Sequence, residues 1–312
     1  MRFALRFRIT IVLMLALGGL TSIAVSSVLL ISASASFKNT LELSGKRTEL
    51  TVAAIERGLS DNLAPSQNMI EAIAEQVADG TLDLADRDRL AAIFSGALAS
   101  SPQMGGVVVW QPGVDELWVR RIETGEIVER DVPGLTPEAF AAITKEYDDS
   151  TELRWGPPVF FGGQTFINLR IPLISDGEIV GVLGTGISLS ALSNLVGDLA
   201  IDDLTPFVLF GEDKVLAHPA LLDPTYAGQL TGSKPLLSIT EINDPVLAAF
   251  PDLKMLRTSG NMGLDVRETD AERGASVILS RSSTEFGPVP WRIGAYVPRE
   301  SVNRQFRRLM GS

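Results

Sequence analysis

The chain has a single histidine, His218, and no cysteine among its 312 residues. Any Ser-His-Asp triad must therefore route through His218, which stands in the apparent strand VLAHP just before a proline. A hairpin histidine bonded to its neighbours is the plainer role for it, and a hydrolase built on it is the competing one. Thiol catalysis, iron–sulfur clusters, thiolate zinc sites and metal sites made of several histidines are excluded outright. Asp202, Asp203, Glu212 and Asp213 offer carboxylates for a calcium ion, but without the ligand spacing of an EF-hand loop. The run GVLGTG (181–186) has the glycines of a phosphate cradle, yet it falls inside a predicted strand. It lacks the helix N-terminus that would hold an anion, so its glycines read as close sheet packing. No catalytic residue, no metal and no cofactor is expected, and the chain is not expected to be an enzyme.

What is left is binding chemistry. Side chains alternate across a strand, so residues two apart share a face. In 164–174 (QTFINLRIPLI), Phe166, Asn168 and Arg170 face one way, with Thr165, Ile167, Leu169 and Ile171 opposite. In 116–122 (ELWVRRI), Trp118 and Arg120 are partners, with Leu117, Val119 and Arg121 opposite. A face carrying Trp118, Arg120, Asn168 and Arg170 combines an aromatic wall with guanidinium groups able to grip a carboxylate through two parallel hydrogen bonds. Trp110, Tyr147, Trp155 and Phe161 are candidates for the remaining walls. The plainer alternative puts Trp155 in the core and pairs the arginines with Glu116 or Glu123 on the surface.

These faces need elements to hold them. Apolar residues at three- and four-residue steps (Val52, Ile55, Leu59, then Met69, Ile70, Ile73, Val77) predict a helix from Phe37 to about Gly80, kinked or restarted at Pro65-Ser66. It reads equally as a signalling stalk and as a long surface helix. A second helix is expected over 84–100. Strands are expected at 106–110, 116–122, 126–131, 164–174 and 178–189, the last two joined by the turn Ser175-Asp176-Gly177. Thr136 caps a helix over 136–147, with Pro137 in its first turn. A short helix follows over 190–199. A second unit carries a hairpin around Gly211-Glu212-Asp213, an irregular stretch 223–262 with a helix near 244–250, strands at 275–281 and 291–297, and a basic helix at 298–310. One long helix followed by two hairpin-bearing sheets describes an α+β tandem.

No residue between Arg8 and Lys38 carries a charge. Its core, residues 9–31, is long enough at about 1.5 Å per residue to cross a hydrocarbon layer about 30 Å thick. Arg2, Arg6 and Arg8 precede it and keep the N-terminus cytoplasmic under the positive-inside rule. A cleaved signal peptide competes, because Ala33-Ser34-Ala35 has the small-x-small form of a cleavage site. Either way the main domain lies outside the cytoplasm. The first 37 residues hold three arginines and no acid, leaving 24 basic against 38 acidic residues beyond them. That excess repels nucleic acid, which is excluded as a partner.

Three stretches resemble the double Cache (tandem PAS-like) extracytoplasmic sensor family. NLRIPLISDGEIVGVLGTGISLSAL (168–192) is similar to the closing hairpin of the family's distal module. GEDKVLAHP (211–219) is similar to the hairpin that opens the membrane-proximal module, and VPWRIGAYVPRESV (289–302) to the strand and exit helix that close it. The resemblance extends over residues 37–310, and in style it is nearest to the sensor regions of bacterial transmembrane adenylate/guanylate cyclases. It implies a cytoplasmic N-terminus (1–8), a transmembrane helix (9–34), stalk helices (35–103), a distal PAS-like module (104–200), a membrane-proximal one (201–297) and an exit helix (298–312). No second span or output domain follows Met310, so the expectation is a portion of such a receptor or a stand-alone tethered sensor.

The resemblance also implies an inner-membrane homodimer with a periplasmic sensor, and a small-molecule ligand in the distal module held by Trp118, Arg120, Tyr147, Trp155, Phe161, Asn168 and Arg170. The family's amino-acid-binding members carry Arg-x-Trp-Tyr before this hairpin and an aspartate at the head of its last strand. Here the nearest run is Leu153-Arg154-Trp155-Gly156, and Gly186 takes the aspartate's place. With no carboxylate there for an ammonium group, a small carboxylate or other anion is the expected ligand. A scaffolding ectodomain without ligand is the alternative. Arg304, Arg307 and Arg308 in the tail run against the positive-inside tendency if a span follows, and suit contact with anionic headgroups if none does.

Overall fold

A computed structural model of the chain describes residues 2–122, 124–147, 150–200, 204–253, 255–259, 264–268 and 277–297. The expected exit helix, Glu123, the pair Asp148-Asp149 and the acids Asp202 and Asp203 lie outside them. Met1–Arg47 belongs to one unit and Thr48–Pro298 forms a second.

Helix α1 is Arg2–Ala78. Among its described side chains in the first unit, Leu17, Leu20, Ile23, Val25, Val28, Leu29 and Ile31 are exposed. The hydroxyls of Thr21 and Ser27 donate back to the carbonyls of Leu17, Gly18 and Ile23 within the same helix. Such back-bonding satisfies a hydroxyl without water. Among the described residues, no helix is long and apolar enough to cross a membrane.

In the second unit α1 buries Val52, Ile55, Leu59, Leu63, Ile70, Ile73 and Val77. The helix runs through Pro65 instead of restarting at Ser66, which is fully buried. An internal proline costs about 3 kcal/mol. Burying each large aliphatic side chain on this stripe contributes about 1.5–3 kcal/mol, so packing outweighs the lost hydrogen bond. Gly80, at φ +76°, follows the end of α1, and α2 (Arg87–Ser100) starts from an Asp86 cap.

The first sheet has six antiparallel strands: β1 (Met104–Gln111), β2 (Val114–Arg121), β3 (Ile127–Val132), β4 (Arg154–Phe161), β5 (Gln164–Ser175) and β6 (Glu178–Ser188), in the order β3-β2-β1-β6-β5-β4. β5 and β6 are joined through Asp176 (φ 51°) and Gly177 (φ 85°), the two left-handed residues of a tight hairpin turn. Helix α3 (Pro137–Thr144) starts from the Thr136 hydroxyl and ends in a 3₁₀ turn, Lys145–Tyr147. Helix α4 (Leu189–Asp198) leads to the second sheet. That sheet comprises β7 (Thr205–Phe210), β8 (Lys214–Ala217), β9 (Met255–Ser259), β10 (Leu264–Glu268), β11 (Val277–Ser283) and β12 (Trp291–Val297), in the order β8-β7-β12-β11-β10-β9. The helix expected near 244–250 is Pro245–Ala249, capped by Asp244.

Two differences from the sequence reading matter. β4 occupies a stretch to which the sequence reading assigned no element, and it is an edge strand with a register shift between Gly156 and Val159. Prolines are tolerated at edges and bulges, where no ladder amide is missed. β9 lies in the stretch read as irregular, and β10 follows in residues to which no element was assigned.

One face of the first sheet belongs to the core. Val107, Val109, Leu117, Val119, Ile167, Leu169, Ile171 and Leu173 pack with α1 and α2, in one cluster with residues of the second sheet. Arg121, on that face, donates from Nη2 to the Leu98 carbonyl at the end of α2. The other face is free to build a site.

Candidate functional site

Two cross-strand rows organise the free face. Trp118 pairs with Val108, Val108 with Gly184, and Gly184 with Arg170. Two residues along, Arg120 pairs with Gly106, Gly106 with Gly186, and Gly186 with Asn168. Each row spans three strand spacings, about 14 Å, so the two arginines approach from opposite sides.

The glycines between them admit aromatic rings close to the backbone. A Cβ at Gly184 would lie 2.6 Å from Trp110 Cζ3, and one at Gly186 would lie 3.1 Å from Phe166 Cβ. β4 supplies the opposite wall. Its bulge at Pro157-Pro158 bends the strand, and Pro157, Val159 and Phe161 line the cavity. Phe161 stacks on Trp118 with ring centroids 4.3 Å apart. The Arg120 guanidinium lies 5.6 Å from the Phe161 ring centroid. The result is a cavity of about 230 Å³.

Trp118, Arg120, Phe161, Asn168 and Arg170 therefore line one cavity, together with Trp110, while Tyr147 and Trp155 are not among its lining residues. Trp155 pairs with Leu169 on the core face. It meets Trp291 of β12 and Phe286 of the β11–β12 turn edge to face, at 6.0 and 6.1 Å. Tyr147 is buried with Phe140 and Val182 beside α3, with the Arg154 guanidinium 5.5 Å from its ring centroid. Burial pushes its hydroxyl up to about 12, and the nearby Arg170 and Arg154 charges only partly offset this.

Arg170 is nine-tenths buried, and its Nη2 donates to Glu146 Oε2 at 2.9 Å. Among the described residues no carboxylate pairs with Arg120, and the Nε–H groups of both arginines are buried without a partner. The Asn168 amide donates to the Pro157 carbonyl, tying β5 to the β4 bulge. Glu116 pairs with neither arginine. Its Oε2 accepts the Trp118 indole N–H at 2.5 Å. Burial raises its pKa, while the indole N–H groups of Trp118 and Trp110 pull it back. Of the lining residues, Arg120 and Arg170 carry charge and none is acidic. The sequence reading did not single out the glycine triad, Gly106, Gly184 and Gly186, as part of a site. The signal was present in the i, i+2 glycines of β6, whose side chains would all fall on the face of Asn168 and Arg170.

His218 is structural. Its Nδ1 accepts the Ala220 amide at 3.1 Å, and its Nε2 lies 3.4 Å from Tyr296 Oη and 3.6 Å from Asp244 Oδ2. Ser193 meets the His218 backbone N–H and not the ring, so no serine–imidazole pair is made there. Glu212, once a calcium candidate, pairs with Arg292; among the described residues no cluster could hold a metal ion.

Burial lowers the His218 pKa below its ordinary 6.5, against an opposing pull from Asp244. The unfolded ring takes up its proton near pH 6.5, whereas the folded ring, accepting at Nδ1, resists it. His218 thus contributes full stability above about pH 6.5 and loses it as pH falls toward the depressed folded value. Melting temperature is expected to drop between pH 7.5 and 5.5, and to drop less in His218→Gln. An equal slope in both proteins would remove His218 as the cause.

No family model matches the chain, and no curated protein matches it. Among solved structures it is similar to the sensory domain of the Campylobacter jejuni chemoreceptor Tlp3 with isoleucine bound, at 14% identity and TM-score 0.57, covering 86% of this chain and 97% of that one. It is also similar to the ligand-binding domain of the Pseudomonas fluorescens chemoreceptor CtaA in complex with L-isoleucine, at 17% identity and TM-score 0.52, covering 86% and 96%. A third is the ligand-binding domain of the Pseudomonas aeruginosa amino acid chemoreceptor PctB in complex with L-Arg, at 15% identity and TM-score 0.50, covering 83% and 95%. The fold is the double Cache arrangement of these sensor domains.

Proposed function

We propose that the chain is the ligand-sensing region of a bacterial signalling receptor, anchored in the inner membrane by residues 9–34 with its sheets in the periplasm. The cavity of the distal module (104–200) takes a small carboxylate or other anion. The observation that carries this reading is the cavity itself: two arginines, one of them without a carboxylate partner among the described residues, with aromatic walls and no acidic lining residue. An amino acid would also need an acceptor for its ammonium group. Gly186 offers none, Glu116 is engaged by indole N–H and Glu146 by Arg170.

The anchor rests on Arg2, Arg6 and Arg8 before an uncharged stretch, and on apolar side chains exposed along α1 with hydroxyls bonded back to the helix. Residues 35–103 serve as the stalk, 201–297 as the membrane-proximal module and 298–312 as the exit helix of a homodimer. Signalling then requires the ligand to bind one arrangement of those helices better than another. An output activity, cyclase or other, is assigned to none of the residues described here.

The test is a thermal-shift screen of the full chain in detergent micelles against small carboxylates, amino acids, amines and purines. A ligand present at a hundred times its dissociation constant stabilises by about 2.7 kcal/mol, a rise of several degrees for a domain of this size. In Arg170→Ala a carboxylate should bind at least tenfold more weakly, because a charge-assisted buried hydrogen bond is lost. Glu146 is half exposed and stays hydrated without its partner. A flat response to every compound would replace the sensor reading with that of a scaffold.

A further inference from the structure

We infer that the ligand class of the distal cavity is an aromatic carboxylate, its ring held among Trp110, Phe166, Trp118 and Phe161 and its carboxylate by the arginines. This rests on the sensor reading and narrows it. Four of the seventeen lining residues are aromatic, against 6% of the chain. Trp110 and Phe166 lie against Gly184, Gly186 and Gly105 on the sheet, and Trp118 and Phe161 form the stacked pair where β2 meets the end of β4.

A glycine-backed ring can approach the backbone where any side chain would hold it off. A cavity lined by such rings suits a planar aromatic group, which gains offset or edge contacts with them. An aliphatic ring of similar bulk is thicker and lacks the quadrupole that those contacts use. The polar lining residues are Arg120, Arg170, Asn168 and Thr185, of which the Thr185 hydroxyl donates to the Gly106 carbonyl. A guanidinium fork matches a carboxylate in plane and in charge. Among the described residues no carboxylate pairs with Arg120, and nothing acidic in the lining repels an anion.

The test uses the full chain in detergent micelles, with benzoate, cyclohexanecarboxylate and benzamide as probes, read by calorimetry and tryptophan fluorescence. Benzoate is expected to bind, with cyclohexanecarboxylate and benzamide each at least tenfold weaker. Trp118→Leu should erase the preference over cyclohexanecarboxylate, and Arg170→Ala the preference over benzamide. Equal binding of cyclohexanecarboxylate or of benzamide to the native chain would overturn the aromatic-carboxylate class while leaving a sensor of small molecules. Silence toward benzoate with a response to an amine, amino acid or purine would do the same. Silence toward every compound would overturn both readings.

Discussion

Replacing Trp291 with alanine is expected to cost about 3–5 kcal/mol, the range for removing a large buried aromatic side chain. Trp291 is 2% exposed and stacks on Phe286 at 4.5 Å, with Trp155 edge to face at 6.0 Å. It belongs to β12 of the second sheet and Trp155 to β4 of the first, so the cluster joins the two sheets. The Trp291 indole N–H has no partner among the described residues, so the loss is one of burial and packing without a broken hydrogen bond. At about 2–4 °C per kcal/mol for a domain of this size, the melting temperature should fall by roughly 6–20 °C. Trp291→Phe, which keeps a ring against Phe286, should fall much less. Thermal melts followed by circular dichroism decide it: a drop under about 3 °C for Trp291→Ala would mean that the sheets do not depend on this joint.

Gly184→Val is expected to abolish benzoate binding, weakening it at least a hundredfold, while the protein still folds. A Cβ at this position sits 2.6 Å from the Trp110 ring and 3.2 Å from Val108 Cγ1. The indole must move, and the room left for it is the cavity. Overpacking of this kind costs about 1–3 kcal/mol, well short of unfolding a domain with a continuous core. Calorimetry with benzoate measures the binding, and a melt measures the fold. Unchanged affinity in a folded Gly184→Val protein would show that the probe binds elsewhere and would remove the glycine-backed slot from the mechanism.

Much of the first sheet was legible because its signals are local. The alternation in 164–174 separated Asn168 and Arg170 from Ile167, Leu169 and Ile171, and the structure keeps that division. Asp176-Gly177 and the Thr136 cap are likewise written in neighbouring residues. What escaped the sequence depends on distant partners. β4 went unread: adjacent prolines carry no strand signal, and only the edge position of β4 makes Pro157-Pro158 tolerable. Pro65 looked like a restart because the tertiary packing that carries α1 past it is invisible locally. The meeting of Phe161 with Trp118 and Arg120 needs the order β3-β2-β1-β6-β5-β4, which no run of adjacent residues encodes. Trp155 and Tyr147 were grouped with the cavity by residue type, whereas strand parity turns the first toward the core and α3 packing holds the second beside it.

The two rims of the first sheet are closed to recruitment. On β4, Pro157 and Pro158 have no amide hydrogens to offer, and the bulge breaks the register that a newcomer would have to follow. On β3, Glu129, Arg130 and Asp131 are exposed, a run of charge that a zipping strand would have to desolvate. Two molecules of this protein therefore cannot lengthen this sheet into one another, nor can a stray unfolded segment graft itself on. Even crowded side by side, they would keep this sheet discrete.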